Sequence, residues 1–375
     1  MSTLDLDAMS PIAQVDLGAL RRNVQRLRSL IHGDAQMLVA VKADAYGHGL
    51  IPVARTLSEE GVSWLGVATP GEALALREAR LTSRILIFGP LCGPAVQAVL
   101  AAGVDVTVCT AEDVAAVAAA QAQTNVDARV HLKVNTGMAR LGLKPEAALQ
   151  VARTIADTPG LVLEGVWTHF ARADEPHAPS RNQQVKVFDA FLAELDAAGI
   201  HATLRHAANS AALLTMPEAH YDLVRPGIAV YGYAPSHELS AAASDLEPVM
   251  TVTAPVVFVQ QVEAGESVSY GHRWTARSAT SLATVRFGYA DGYPRALTNL
   301  GDVGVEGGLA RVVGTVCMDQ LLIDVGNQDV RVGDRVTVFG KGALGADQLS
   351  ARWGSIAYEV LTSMTQRVTR HYSED

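Results

Sequence analysis

The sequence has little cysteine, no surplus of positive charge and no long apolar run, and each shortage removes a class of function. Only three cysteines occur, Cys92, Cys109 and Cys317, widely spaced and without a CxxC pair. They supply neither a disulfide framework nor a recognisable zinc site, so no metal and a reducing compartment are expected. A formal net charge of -9 argues against nucleic acid or an anionic membrane surface as partner, because either needs a concentrated basic face. No apolar run approaches the roughly 20 residues that span a bilayer. Met1 to Gln14 lacks a basic segment followed by an apolar run, so no secretory signal is expected and the location reads as cytoplasmic.

What is present is ample material for a core. The chain has 375 residues, 49% hydrophobic and 18% charged, which suits a soluble globular protein of two domains. Short apolar runs at Met37–Val41, Trp64–Val67, Ile85–Phe88, Val104–Val108, Val130–Val134, Leu161–Trp167, Thr203–Arg205 and Tyr221–Val224 read as strands. Helical segments alternate with them, among them Pro70–Ala79, Ala111–Gln123, Pro145–Ile155 and Asn182–Ala198, several opened by proline or a small polar residue. Alternation of this kind implies right-handed βαβ units about a parallel sheet. The expected fold class is α/β: an N-terminal (β/α)8 TIM-like barrel over 1–245, with a doubly wound open sheet as the rival that periodicity does not exclude. Leu17–Ile31 is the candidate for the helix that follows the eighth strand. After Asp245 the runs Thr251–Val262, Ser281–Phe287, Leu309–Val316, Leu321–Val325 and Arg335–Phe339 are rich in Val and Thr and broken by Gly and Asp. Residues 246–375 are therefore expected to form a C-terminal β domain with tight turns.

Lys42 follows the first apolar run, which places it at the C-terminal end of a barrel strand, the catalytic end of that fold. A lysine there loses hydration, which lowers its pKa and frees the amine for carbonyl chemistry. Alone, it reads more readily as a snorkelling or salt-bridged strand-end lysine. Its context is Val41-Lys42-Ala43-Asp44-Ala45-Tyr46-Gly47-His48-Gly49, and this segment resembles the cofactor-lysine motif of the alanine racemase family. The resemblance implies that Lys42 carries pyridoxal 5'-phosphate as a Schiff base and that Tyr46 contacts the phosphate.

Two further segments are similar to the same family. His206-Ala207-Ala208-Asn209-Ser210-Ala211 holds Asn209 or Ser210 as a helix cap, and Arg225-Pro226-Gly227-Ile228 follows the eighth strand, where barrels commonly bind phosphate. The resemblance implies cofactor contacts at Asn209, Ser210, Gly227, Ile228 and Tyr358, and it sets Arg225 against the pyridine nitrogen. A guanidinium gives that nitrogen a hydrogen bond without surrendering a proton, which weakens the cofactor as an electron sink. His169, in Trp167-Thr168-His169-Phe170, and His206 are implied to share this network.

Racemisation moves a proton off one face of Cα and onto the other, most directly with two bases. Lys42 serves one face. The resemblance assigns the other to Tyr270, in Ser267-Val268-Ser269-Tyr270-Gly271-His272, supplied by a partner subunit across a homodimer interface; taken alone it reads as a loop tyrosine. It also implies that Arg140, in Lys133-Val134-Asn135-Thr136-Gly137-Met138-Ala139-Arg140, meets the substrate carboxylate, and that the partner's Met318 and Asp319 border the substrate. Some members carry a carbamylated lysine at the position of Lys133, and Asn135 stands where an aspartate is common. Tyr289 and Tyr293 are expected to line an entrance. The implied activity is interconversion of L- and D-alanine, supplying D-alanine for peptidoglycan. Two rivals are a barrel-plus-β-domain decarboxylase with the same cofactor, and a barrel-only pyridoxal-phosphate carrier that would not need the β domain.

Overall fold

A computed structural model describes residues 9–124 and 126–374; the opening part of the stretch read for a secretory signal, 1–8, lies outside them. By contacts the chain divides into two compact units, 21–45 with 50–246, and 9–20 with 46–49 and 247–374 among the described residues.

The first unit is the expected barrel. Its strands are β2 (Gln36–Ala40), β3 (Trp64–Val67), β4 (Arg84–Ile87), β5 (Asp105–Val108), β6 (Ala128–Lys133), β7 (Leu161–Trp167), β8 (Leu204–His206) and β9 (Leu223–Val224), all paired in parallel. The sheet runs β8-β7-β6-β5-β4-β3-β2-β9. It closes between β8 and β9 through Asp222 N–H to the Arg205 carbonyl at 3.0 Å and Arg225 N–H to the Ala208 carbonyl at 2.8 Å. Closure removes the open-sheet rival. Leu38, Trp64, Leu86, Leu204 and Leu223 fill the interior together with Phe88.

Local chemistry explains where the intervening helices begin. Thr69 caps the helix Pro70–Glu78 with its hydroxyl while Glu72 returns to the Thr69 N–H, a reciprocal capping box with proline in the first turn. Pro145 opens Pro145–Asp157, and Asn209 caps the short helix Ser210–Thr215 by accepting from Ala212 N–H at 3.0 Å. The helix after the eighth strand comes from the N-terminal segment Leu17–Arg28. Its Asn23 amide donates to the Val230 carbonyl at 3.1 Å.

The second unit is an eight-stranded sheet in the order β13-β16-β15-β14-β17-β10-β1-β18. Here β1 is Ile12–Asp16, β10 Met250–Val262, β13 Thr280–Val285, β14 Asp302–Val305, β15 Gly308–Val313, β16 Leu321–Asp324, β17 Arg335–Phe339 and β18 Thr369–Ser373. Most pairs are antiparallel, as Val- and Thr-rich runs broken by Gly and Asp imply; β1 with β18 is parallel. The N-terminal strand β1, grouped by sequence with the barrel, belongs to this sheet and pairs Ile12 with Thr253 of β10. Among the described residues no helix is long and apolar enough to cross a membrane.

Candidate active site

The barrel unit gathers a cationic, donor-rich cluster at the C-terminal ends of its strands. Lys42 stands just past β2, half-buried, with Nζ 5.9 Å from the Phe88 ring centroid. Burial pushes its pKa below the usual amine value, Arg140 pushes it the same way, and Glu72 opposes both. The chain leaves Lys42 through an uncommon turn. Ala43, Asp44, Ala45 and Tyr46 have φ of 54°, 54°, 51° and 54°, a left-handed run of residues with Cβ atoms. Glu72 Oε1 accepts from Ala43 N–H at 2.6 Å and Asp44 Oδ1 from Leu50 N–H at 2.7 Å, which pins both ends of the turn.

Arg225 is the centre of the cluster. Its NH2 donates to the carbonyls of Thr168 at 2.8 Å and Ala207 at 2.9 Å and lies 3.4 Å from His169 Nδ1. Its NH1 lies 3.1 Å from His206 Nδ1. Burial pushes the guanidinium down to about 9, so it stays a cation at neutral pH. Burial, together with Arg225 and Lys133, holds His169 and His206 well below the usual histidine range, so both are neutral. Ser210 is buried beside it, its hydroxyl accepting from Gly227 N–H at 2.8 Å. A single-turn 3-10 segment, Ile228–Tyr231, begins there, and its Ala229 N–H also donates to the Ser210 hydroxyl at 3.4 Å. Thus Ser210, Gly227 and Ile228 do come together. Asn209, read as a cofactor contact, spends its side-chain oxygen on the helix cap.

The loop after β6 holds Arg140 exposed. Asn135 shapes that loop: its Oδ1 accepts from Gly137 N–H and Ala139 N–H, both at 3.0 Å. An aspartate makes the same bonds but adds a negative charge. With asparagine there, the buried Lys133 has cations for neighbours. Its Nζ sits 3.3 Å from the Trp167 ring centroid and has no hydrogen-bond partner among the described residues. Burial, then Arg225 and Arg140, pushes its pKa well below the usual amine value. Lys133, Asn135, Thr136, Arg140, Thr168 and His169 line one narrow crevice. Gln184 was not singled out by sequence. Buried on the helix Ser180–Ala197, it donates to Thr136 Oγ1 at 2.9 Å and to the His169 carbonyl at 3.2 Å, and no local motif announces it.

The second unit carries the remaining candidates. Tyr46 is buried, its ring centroid 6.0 Å from that of Tyr358, and burial pushes its phenol up to about 12. Tyr270 lies in the turn between the short strands β11 (Ser267–Val268) and β12 (Trp274–Thr275) and is 74% exposed. Thr315 Oγ1 donates to the Tyr270 carbonyl at 2.7 Å and Ser269 Oγ to the Thr315 carbonyl at 2.8 Å, so this turn is fixed to the strand leading to Cys317 and Met318. Met318 is also exposed. Asp319 is held by Arg367 at 2.8 Å, and Arg367 also reaches Asp291 at 3.0 Å. One expectation fails: Tyr293 is 1% exposed and packs edge-on to Phe287, so it is a core residue, while Tyr289 remains at the surface. Among the described residues no cluster of His, Cys, Asp and Glu has metal-binding geometry.

Comparison with known proteins covers both units. Residues 15–235 match the family "Alanine racemase, N-terminal domain" and residues 249–372 match "Alanine racemase, C-terminal domain". The chain is 44% identical over 367 residues to an alanine racemase of Frankia casuarinae, covering 96% of this chain and 95% of that one. The alanine racemase structure from Streptomyces coelicolor A3(2) superposes with a TM-score of 0.94 at 41% identity, covering 99% of this chain and 100% of that one. The structure of the Bacillus anthracis alanine racemase with bound L-Ala-P gives a TM-score of 0.90 at 33% identity, covering 97% and 95%.

Proposed function

We propose, from the premise that this chain belongs to the alanine racemase family, that it interconverts L- and D-alanine with pyridoxal 5'-phosphate. The observation that carries the reading is the donor set at the barrel mouth. A half-buried amine of lowered pKa, an anchored buried guanidinium, and a buried serine at the start of a following turn lie on one strand-end face. This set fits an aldehyde, a ring nitrogen and a phosphate respectively.

When bound, the cofactor draws electrons from the substrate Cα and makes its hydrogen acidic. Lys42 would hold the cofactor and move the proton on one face of Cα; its lowered pKa keeps a larger free-amine fraction for that task. Arg225 orients the ring through a donor it does not release. Ser210, Gly227 and Ile228 would hold the phosphate, Asn209 fixing the turn that presents Ser210, and Tyr46 and Tyr358 are the further phosphate contacts that the family resemblance implies. Arg140 pairs with the substrate carboxylate. Neutral His169 lies beside Arg225 and shapes the hydrogen bonds around it.

Tyr270 moves the proton on the opposite face. Its exposure in a single chain supports action on the barrel of a second copy, so we read the working enzyme as a homodimer, with Met318 and Asp319 bordering the substrate there. The carrier rival leaves the fixed Tyr270–Cys317 turn without a purpose. The charge and the cysteine pattern favour a cytoplasmic enzyme, and supply of D-alanine for peptidoglycan is the role that the family resemblance implies. Incubation of the pure protein with pyridoxal phosphate and L-alanine tests the reading: D-alanine should accumulate to equality with L-alanine. Carbon dioxide without D-alanine would instead establish a decarboxylase.

A further inference from the structure

Behind Arg225 a line of buried polar groups crosses the barrel interior. Arg225 NH1 lies 3.1 Å from His206 Nδ1, His206 Nε2 lies 2.9 Å from His131 Nδ1, and His131 Nε2 lies 3.3 Å from Asp105 Oδ2. Both imidazoles and the carboxylate are 0% exposed. The far end is held by Arg84 at 2.5 Å and Arg129 at 2.9 Å, with Glu164 taking the other arm of Arg84 at 2.7 Å.

The two ends fix the direction of every bond between them. A guanidinium only donates, so His206 Nδ1 must be bare. Neutral His206 then carries its proton on Nε2 and donates to His131 Nδ1. That leaves His131 with its proton on Nε2, pointing at Asp105. Asp105 accepts as a carboxylate: burial pushes its pKa up, but His131, Arg84 and Arg129 together outweigh burial and bring it below the usual value. The line has one satisfied arrangement and no alternative that keeps all three bonds.

The fold makes room for it. His131 lies on β6 and His206 on β8, and the strand between them, β7, carries Gly165 opposite His131. A Cβ on Gly165 would stand 2.2 Å from His131 Nδ1. The glycine is what lets the two rings meet across an intervening strand. Trp167 stacks on His206 with centroids 5.6 Å apart and planes 3° apart, and Trp64 meets His131 edge-on, so an indole packs against each ring.

We propose that Asp105 and His131 are positioning residues for the racemase reaction: they lock the tautomer of His206, and His206 in turn anchors Arg225 in the orientation that serves the cofactor ring. The inference rests on the reading of Arg225 given above, but its first test does not. Long-range 1H–15N correlation spectra of the histidine-labelled whole protein at neutral pH report the tautomers directly. Both His131 and His206 should carry the proton on Nε2; a proton on Nδ1 of either, or a mixture in the wild-type protein, overturns the proposal. Gly165→Ala keeps every charged group and should push the His131 ring away. It should give His206 mixed tautomers and lower kcat about tenfold or more, with KM for alanine changed by less than about threefold. Unchanged tautomers in a folded variant, or lost tautomers with an unchanged kcat, overturn it. Asp105→Leu, which removes the terminal acceptor, should give the same signature if it folds. Absence of racemase activity in the wild-type protein would sink the functional reading alone, because the tautomer result stands without it.

Discussion

Replacing Lys133 by methionine should change how stability depends on pH. The Lys133 amine is buried, packed 3.3 Å from the Trp167 ring centroid, without a hydrogen-bond partner among the described residues and beside two arginines. Its pKa in the folded protein is well below the usual amine value, burial being the main cause. In the unfolded chain it returns to about 10.4. Between those two values the unfolded state binds a proton that the folded state does not, so folding stability rises with pH, by about 1.4 kcal/mol per unit for one group. The variant keeps the length and apolar contact of the side chain and loses only this proton. Urea unfolding of both proteins in carbon-dioxide-free buffer, from about pH 8 to about pH 9.5, spans part of that window. The difference between wild type and variant should move in favour of the wild type as pH rises, by up to about 1.4 kcal/mol per unit. Cys109, the nearest thiol, is pushed up to about 11 and stays protonated over most of this range. Parallel pH profiles for the two proteins would refute the reasoning, because they would mean that Lys133 titrates alike in both states.

Other substitutions test other parts of the site. Ala43→Gly should relieve about 1–2 kcal/mol of left-handed strain against about 0.4–1 kcal/mol of added freedom in the unfolded chain; a loss of stability in urea unfolding would mean the turn is not strained. Gly142→Ala should raise KM for alanine at least severalfold in steady-state assays, since φ is 95° there and a Cβ would lie 2.7 Å from the Lys133 carbonyl, displacing the Arg140 loop; an unchanged KM would separate that loop from substrate. Tyr293→Phe should stabilise by about 1 kcal/mol, because it removes a buried hydroxyl without a partner among the described residues. Its KM should not move, and a raised KM would return Tyr293 to an entrance role. Incubation with 13C-bicarbonate should give a carbamate carbon signal that Lys133→Met lacks, as the resemblance to carbamylated family members implies; the same signal in both proteins would place the adduct elsewhere.

The parts of this protein that were legible in sequence are those set by local pattern. Eight apolar runs became eight parallel strands because each is short, apolar and closed by a turn or helix start, and Lys42 fell at a strand end because it ends one of those runs. What local pattern does not carry is the company a side chain keeps. Tyr293 shares a tyrosine-rich segment with Tyr289, yet the neighbouring Phe287 takes it into the core. Ile12–Asp16 gives no sign that its pairing partners lie beyond Met250 and Thr369. Lys133 and His131 sit on β6 like ordinary alternating polar residues, and only the packing of β7 and β8 makes one an unpartnered amine and the other a link to Arg225. Gly165 in the middle of Leu161–Trp167 was the available signal, since a strand-interior glycine commonly marks a close approach.

On the proposed reading, Lys42 and Tyr270 act as two bases on opposite faces of the alanine Cα. The most direct test is solvent-deuterium incorporation into Cα, measured separately from L- and D-alanine, in the wild type and in Tyr270→Phe with cofactor bound. The wild type should label both enantiomers. The variant should retain cofactor and exchange from one enantiomer while losing racemisation by orders of magnitude. Undiminished exchange from both enantiomers in the variant would contradict the two-base account.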